Sequence, residues 1–193
     1  MGTEQKLSKN EPSRGTPVFR AVDLSRDRER LLNFDASFTT DRIYTVQVNE
    51  MQIEIAEKGL DAPLHKRYPM VHVVSELMSA SFAGTSLVAE TGGAIAGFSV
   101  MKFEAWNSRA HLAHLYVAPA FQGGGLGRSF IEKAVAFGRE SSARCLWLET
   151  QNVNYPAIQF YTKMGFRLCG FDNTLYEPAD PRGEAALYFA MEL

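Results

Sequence analysis

One segment constrains this chain more than any other: Tyr116-Val117-Ala118-Pro119-Ala120-Phe121-Gln122-Gly123-Gly124-Gly125-Leu126-Gly127-Arg128. A strand-like run, Ala110 to Val117, enters a glycine turn, and helical periodicity begins directly after it, with Leu126, Phe130, Ala134 and Phe137 on one stripe. Such a junction directs backbone N–H groups and the positive end of a helix dipole at one point, which attracts phosphate. Glycines let the main chain approach an anion without a Cβ in the way. A glycine triplet is equally what a flexible turn looks like, so spacing has to decide. A dinucleotide fingerprint G-x-G-x-x-G begun at Gly123 needs glycine where Arg128 stands, and begun at Gly125 it needs glycine where Phe130 stands. A P-loop needs Gly-Lys-Ser/Thr, and no such triplet occurs. The pattern left is Gln122-x-x-Gly125-x-Gly127.

Around this loop the chain reads as an α/β protein with a mixed sheet. Residues 1–16 are polar and read as a flexible leader, leaving 17–193 as a single domain. Val18 to Val22 suggests a strand, and Ser25 a cap for a helix over Arg26 to Phe34. Ile43 to Val48 and Met51 to Ile55 suggest a hairpin about Asn49-Glu50, followed by a turn-rich stretch from Gly59 to Pro69 and a short helix over Glu76 to Phe82. Thr85 to Glu90 and Ala94 to Phe103 flank Thr91-Gly92-Gly93 as a second hairpin. Beyond the glycine loop come a buried-type strand, Cys145 to Thr150, a helix with Pro156 in its first turn and Gly165 as its stop, and a last strand from Leu187 to Glu192.

Composition removes several functions. Lysine plus arginine total 20 against 22 acidic residues, a net charge of -2, which lacks the basic footprint of a nucleic-acid binder. No apolar run reaches the roughly 18 residues of a membrane span, and Met1 to Arg14 carries no signal-peptide core, so the expectation is a cytoplasmic protein. Two cysteines, Cys145 and Cys169, make neither a disulfide framework nor a metal cluster, and no metal is expected.

The Gln122-x-x-Gly125-x-Gly127 spacing resembles the pyrophosphate-binding signature of the GNAT family of N-acetyltransferases. Asn154, Ala157, Tyr161 and Gly165-Phe166 resemble a second signature of that family, at its usual distance from the first. Further matches point to its streptothricin (nourseothricin) acetyltransferase branch: 35–41, 105–107, 146–149, 152–154, 168–172 and 186–188. The resemblance spans about residue 18 to 193 and is densest after Glu104. It implies a mostly antiparallel GNAT-like central sheet, splayed around acetyl-CoA and flanked by helices. It also implies acetyl transfer to a primary amine of a small cationic substrate, of streptothricin class by preference. Dimers are frequent in the family, so a homodimer is the assembly to look for. Two departures stand out. His65-Lys66-Arg67 is basic where the branch often has an acidic run, and Ala113 stands where the wider family often has a glutamate. A GNAT enzyme acting on a polyamine, an aminoglycoside or a protein lysine, and a non-catalytic acyl-CoA-binding module, are the competing readings.

The implied coenzyme contacts are Leu115, Tyr116, Val117, Gln122, Gly123, Gly124, Gly125, Leu126, Gly127, Arg128, Asn154, Ala157 and Tyr161. Asn154 would touch the coenzyme or fix the strand-to-helix turn. Thioester aminolysis needs a neutral amine and a proton for the departing thiolate, and the resemblance gives Tyr161 the second task. His114 is a candidate base; its spacing from His111 on a strand predicts that the two point to opposite faces. Glu149 closes an apolar strand and needs a partner: the substrate ammonium, whose proton it would take, or a cation of the protein. Phe38, Asp41, Trp106 and Tyr176 join Glu149 as substrate contacts by resemblance.

Overall fold

The computed structural model describes residues 15–78, 85–176 and 183–193. Chain order is β1 (Val18–Ala21), α1 (Leu24–Leu32), β2 (Ser37–Asn49), β3 (Gln52–Arg67), α2 (Met70–Leu77), β4 (Ser86–Thr91), β5 (Ala94–Glu104), β6 (Arg109–Val117), a 3-10 turn (Pro119–Phe121), α3 (Leu126–Glu140), β7 (Cys145–Gln151), α4 (Tyr155–Lys163), β8 (Arg167–Asp172) and β9 (Ala186–Glu192). Seven strands form one sheet in the order β1-β4-β5-β6-β7-β9-β8, and β2 and β3 form a separate ribbon. Every pairing in the large sheet is antiparallel except β6 with β7. This is the expected α/β architecture with a mostly antiparallel centre.

Each face of the sheet has its own core. On one side, Ile131 and Ala134 of α3 and Ile158 and Tyr161 of α4 pack on Leu112, Leu146, Leu148, Leu187 and Phe189. On the other, Leu31 of α1 and Met70, Val73, Val74 and Leu77 of α2 pack on Val88, Phe98 and Val100. The 70, 73, 74, 77 spacing is the stripe that a helix buries. Strand β5 is covered on both faces, which is why residues 95–101 are all buried.

Several boundaries differ from the expectation. Asp23, not Ser25, caps α1, its carboxylate accepting the Ser25 N–H at 3.0 Å. An aspartate two residues earlier offers a charged acceptor to the helix N-terminus, which favours it. The stretch from Gly59 is not a run of turns: β3 continues to Arg67 because β2 supplies partners as far as Ser37. Register is lost only where residues 60–63 bulge opposite Asp41. Helix α2 begins at Met70, earlier than Glu76, and residues 79–82 of the expected helix lie outside the described residues. Strand β8 is an addition to the expected series. The leader falls outside the described residues as far as 14. No described helix is long and apolar enough to cross a membrane.

Candidate active site

The glycine loop builds an anion cradle from its own backbone. Gly123 and Gly125 have φ of 77° and 86°, values that favour glycine, and Gly125 is the N-cap of α3. No side chain caps that helix, so its first-turn N–H groups are left for a ligand. Gln122 ties the loop to the strand before it, donating from Nε2 to the Val117 carbonyl at 3.0 Å. Arg128 is exposed in the first turn, and Gly127 packs so closely on Phe160 that an added Cβ would meet the ring at 3.0 Å.

Beside the cradle the sheet opens. Parallel β6 and β7 pair only through Arg109–Cys145, Ala110–Leu146 and His111–Trp147, then part. In β6, Ala113 is an extra residue: Met101 pairs with Leu112 and Val100 with His114. The wedge holds a cavity of about 740 Å³. Its walls include 112–117 of β6, Gln122, Gly123, Gly125, Gly127 and Arg128 of the loop, and Glu149, Thr150 and Gln151 of β7. Asn154, Ala157, Phe160, Tyr161 and Lys163 line it from the α4 side, and Phe38, Tyr68 and Tyr176 from the far end.

Tyr161 is buried, and its hydroxyl makes no hydrogen bond among the described residues. Burial, with the charge of Glu149 nearby, pushes its phenol well above the ordinary range. Glu149 accepts the Tyr176 hydroxyl at 2.7 Å and has no ion pair among the described residues. Burial raises its carboxyl above the usual range, against the opposing pull of that hydrogen bond. Its charge is felt at Tyr68, Tyr116, Tyr161, Tyr176 and Tyr188, so the carboxylate stands among tyrosines. Tyr116 is pushed up to about 12, chiefly by burial. Such surroundings suit an ammonium, which gains from both a carboxylate and ring faces.

The sequence-derived contacts divide clearly. Tyr161, Glu149, His114, Leu115, Tyr116, Val117, Gln122, Gly123, Gly125, Gly127, Arg128, Asn154, Ala157, Phe38 and Tyr176 all line the one cavity. Asn154 does so while fixing the turn, its Oδ1 accepting the Ala157 N–H at 3.2 Å. Gly124 and Leu126 are not in the cavity wall; the Leu126 side chain belongs to the core with Phe130. Two expected substrate contacts lie outside this cavity. Trp106 is 87% exposed in the β5–β6 turn and away from the cavity. Asp41, displaced by the ribbon bulge, lines a neighbouring shallow concavity with Tyr155 and Gln159. The opposite-face placement of the histidines is also corrected, because the Ala113 bulge turns His114 back to the side of His111. His111 stacks on Trp147 at 3.8 Å, and burial lowers its pKa to about 4. His114 Nε2 meets Glu76 Oε2 at 2.8 Å. Sequence reasoning missed Tyr68, Gln151, Lys163 and Glu76; only their neighbours in space mark them.

A profile described as "Acetyltransferase (GNAT) family" matches residues 51–166. The chain belongs to this family. It is 37% identical over 169 residues to streptothricin acetyltransferase of Streptomyces lavendulae, covering 86% of this chain and 89% of that one. A crystal structure of nourseothricin acetyltransferase superposes with a TM-score of 0.80 at 36% identity, over 92% of this chain and 99% of that one. A protein from Bacillus anthracis str. Ames, solved in complex with acetyl coenzyme A, shares the fold at 23% identity, with a TM-score of 0.72 over 92% and 98% of the two chains.

As a GNAT enzyme, this chain is an acetyl-CoA-dependent N-acetyltransferase. Its residues fit that coenzyme on their own terms. The uncapped start of α3 suits a pyrophosphate, and the unpaired edge of β6 suits a chain bearing amides.

Proposed function

We propose that the enzyme acetylates a primary amine of a small cationic substrate of the streptothricin class, by direct transfer with amine and coenzyme bound together. One observation carries the reading: a single cavity joins the glycine cradle, the buried Tyr161 and a carboxylate that no cation among the described residues neutralises. The named relatives act in the same direction, since both of the more similar ones are streptothricin or nourseothricin acetyltransferases.

The coenzyme supplies an acetyl thioester; the chain supplies position and proton traffic. Residues Gln122, Gly123, Gly125, Gly127 and Arg128 hold the phosphates, with Lys163 a second cation on that wall. Glu149 draws in the substrate ammonium and takes its proton, leaving a neutral nitrogen whose lone pair forms the new C–N bond as C–S breaks. His114, joined to half-exposed Glu76, is the second base on the wall. Tyr161 gives its proton to the departing sulfur and regains one from the amide nitrogen side, so the cycle releases one proton, the amide and a thiol. Its raised pKa is no obstacle, because the dry pocket that disfavours phenolate disfavours thiolate too. No residue needs to be acylated, and neither Cys145 nor Cys169 lines the cavity.

The test is thiol release from acetyl-CoA across a panel of streptothricin, a polyamine, an aminoglycoside and a lysine peptide, with the product mass read for each. Streptothricin should gain one acetyl group with the highest kcat/KM; no acetylation of any amine refutes the enzymatic assignment of the site. Tyr161→Phe should lower kcat by about 10²- to 10⁴-fold at neutral pH, and an unchanged rate removes the acid role from Tyr161.

A further inference from the structure

The basic stretch His65-Lys66-Arg67 leads into Tyr68, a residue that neither glycine-loop signature includes. Tyr68 follows β3, so the ribbon delivers it, yet its hydroxyl is spent on the opposite half of the molecule. It donates to Gln151 Oε1 at 3.0 Å and accepts from Asn154 Nδ2 at 3.2 Å. Those two residues form the turn between β7 and α4, where the Asn154 N–H also donates to the Gln151 carbonyl at 2.9 Å. The ring packs between Phe38, centroids 5.9 Å apart, and Tyr116, 5.7 Å apart. Lys66, 5.7 Å from the ring centroid, is itself bonded to Glu184 just ahead of β9. Tyr68 and Lys66 thus help pin the ribbon to the catalytic half, with Tyr44 bonded to Asn152 and Gln159 farther along it.

We propose that Tyr68 is a positioning residue for acetyl transfer: its hydroxyl, bridging Gln151 and Asn154, fixes the start of α4 and through it the phenol of Tyr161. Helix α4 has nine residues, and Asn154 is its N-cap. Tyr161 lies seven positions after that cap, about two turns along and on the same side. The core grips α4 through Ile158 and Tyr161, and the cap sets where its first turn begins, so the placement of that turn bears on the angle at which the Tyr161 phenol meets the cavity. The Tyr68 hydroxyl holds the Asn154 amide group by its nitrogen, which leaves Oδ1 aimed at the Ala157 N–H. The ribbon thereby reaches the reacting sulfur without touching it. This inference rests on the assignment of Tyr161 as the acid, and the test separates the two.

Tyr68→Phe keeps the ring contacts and removes only the bridge. Loss of one hydrogen-bonded bridge at this site should cut kcat about tenfold while both KM values stay within about twofold. The decisive measurement is a cycle with Tyr161→Phe. If Tyr68 acts by placing that phenol, Tyr68→Phe should change kcat by less than about twofold once the phenol is gone. Asn154→Ala, which removes the partner from the other side, should show the same non-additivity and serves if Tyr68→Phe folds poorly. A full tenfold loss persisting in the Tyr161→Phe background overturns the proposal, as does a wild-type kcat for Tyr68→Phe. An unchanged kcat for Tyr161→Phe alone refutes the acid assignment itself, and this inference with it.

Discussion

Two groups of carboxylates show opposite uses of the same chemistry. At the β1 edge, buried Asp27 accepts from both Arg20 nitrogens at 2.6 and 2.7 Å and from Arg30 at 3.1 Å. Glu90 beside it meets Arg20, Arg26 and Arg30 at 2.7 to 2.9 Å. Hydrogen bonding to Arg20, more than anything else, holds Glu90 down to about 2. Glu149, by contrast, is buried among tyrosines with one hydroxyl for company, and its carboxyl is raised. Where a carboxylate serves the fold, the chain supplies its cations; on the proposed reading of Glu149, the cation is to arrive with the ligand.

The largest effect expected from breaking this contrast is on stability. Asp27→Asn leaves Arg20 and Arg30 without their buried partner and should cost about 3–5 kcal/mol, lowering the melting midpoint by roughly 10 °C with little change in KM. A midpoint within about 2 °C of wild type refutes a structural role for that cluster. Next comes Glu149→Gln, which keeps a hydrogen-bond acceptor for Tyr176 but removes the charge. It should lower kcat/KM for a cationic amine by about a hundredfold and leave the midpoint unchanged or higher. An equal loss of stability in Glu149→Gln erases the distinction between the two groups.

The pH dependences should run in opposite senses. Glu90 and Asp27 have lowered folded pKa values, so their contribution is full above the ordinary carboxylate range. It is lost as pH falls toward about 2, and melting followed down that range should show the loss. Glu149 has a raised value, so between its unfolded and folded pKa the fold keeps a proton that the unfolded chain gives up. Its ionisation costs stability as pH rises through that window, while on the proposed function the same ionisation should switch on ammonium binding. An acid limb in kcat/KM above the ordinary glutamate range, absent in Glu149→Gln, is the expected profile. The smallest effects belong to Trp106→Ala and Asp41→Asn. Both should leave kcat/KM within about twofold, and a larger loss from either extends the amine site beyond the described cavity.

The half of the cavity proposed to hold the coenzyme could be marked out in the sequence because its parts are contiguous. Strand, glycine turn, helix, strand and capped helix follow one another from Arg109 to Lys163, so spacing along the chain is spacing in the site. The half proposed for the amine is assembled by pairing. Thr39 stands opposite His65 and Phe38 opposite Lys66, partners that no local window contains. Gly59 and Pro63 signalled turns, yet the ribbon absorbs them where its register slips. The one-residue bulge at Ala113 reversed the side of His114, which strict alternation placed on the wrong face. The stripe Met70, Val73, Val74, Leu77 was present all along; the helix was sought a few residues too late.

Among the described residues, the strand ladder joining β1-β4-β5-β6 to β7-β9-β8 has three residue pairs. The sheet is thus two blocks sharing a narrow seam, and a coenzyme bound in the wedge as proposed would extend that seam. For such an architecture the donor of the acyl group would also be a structural beam.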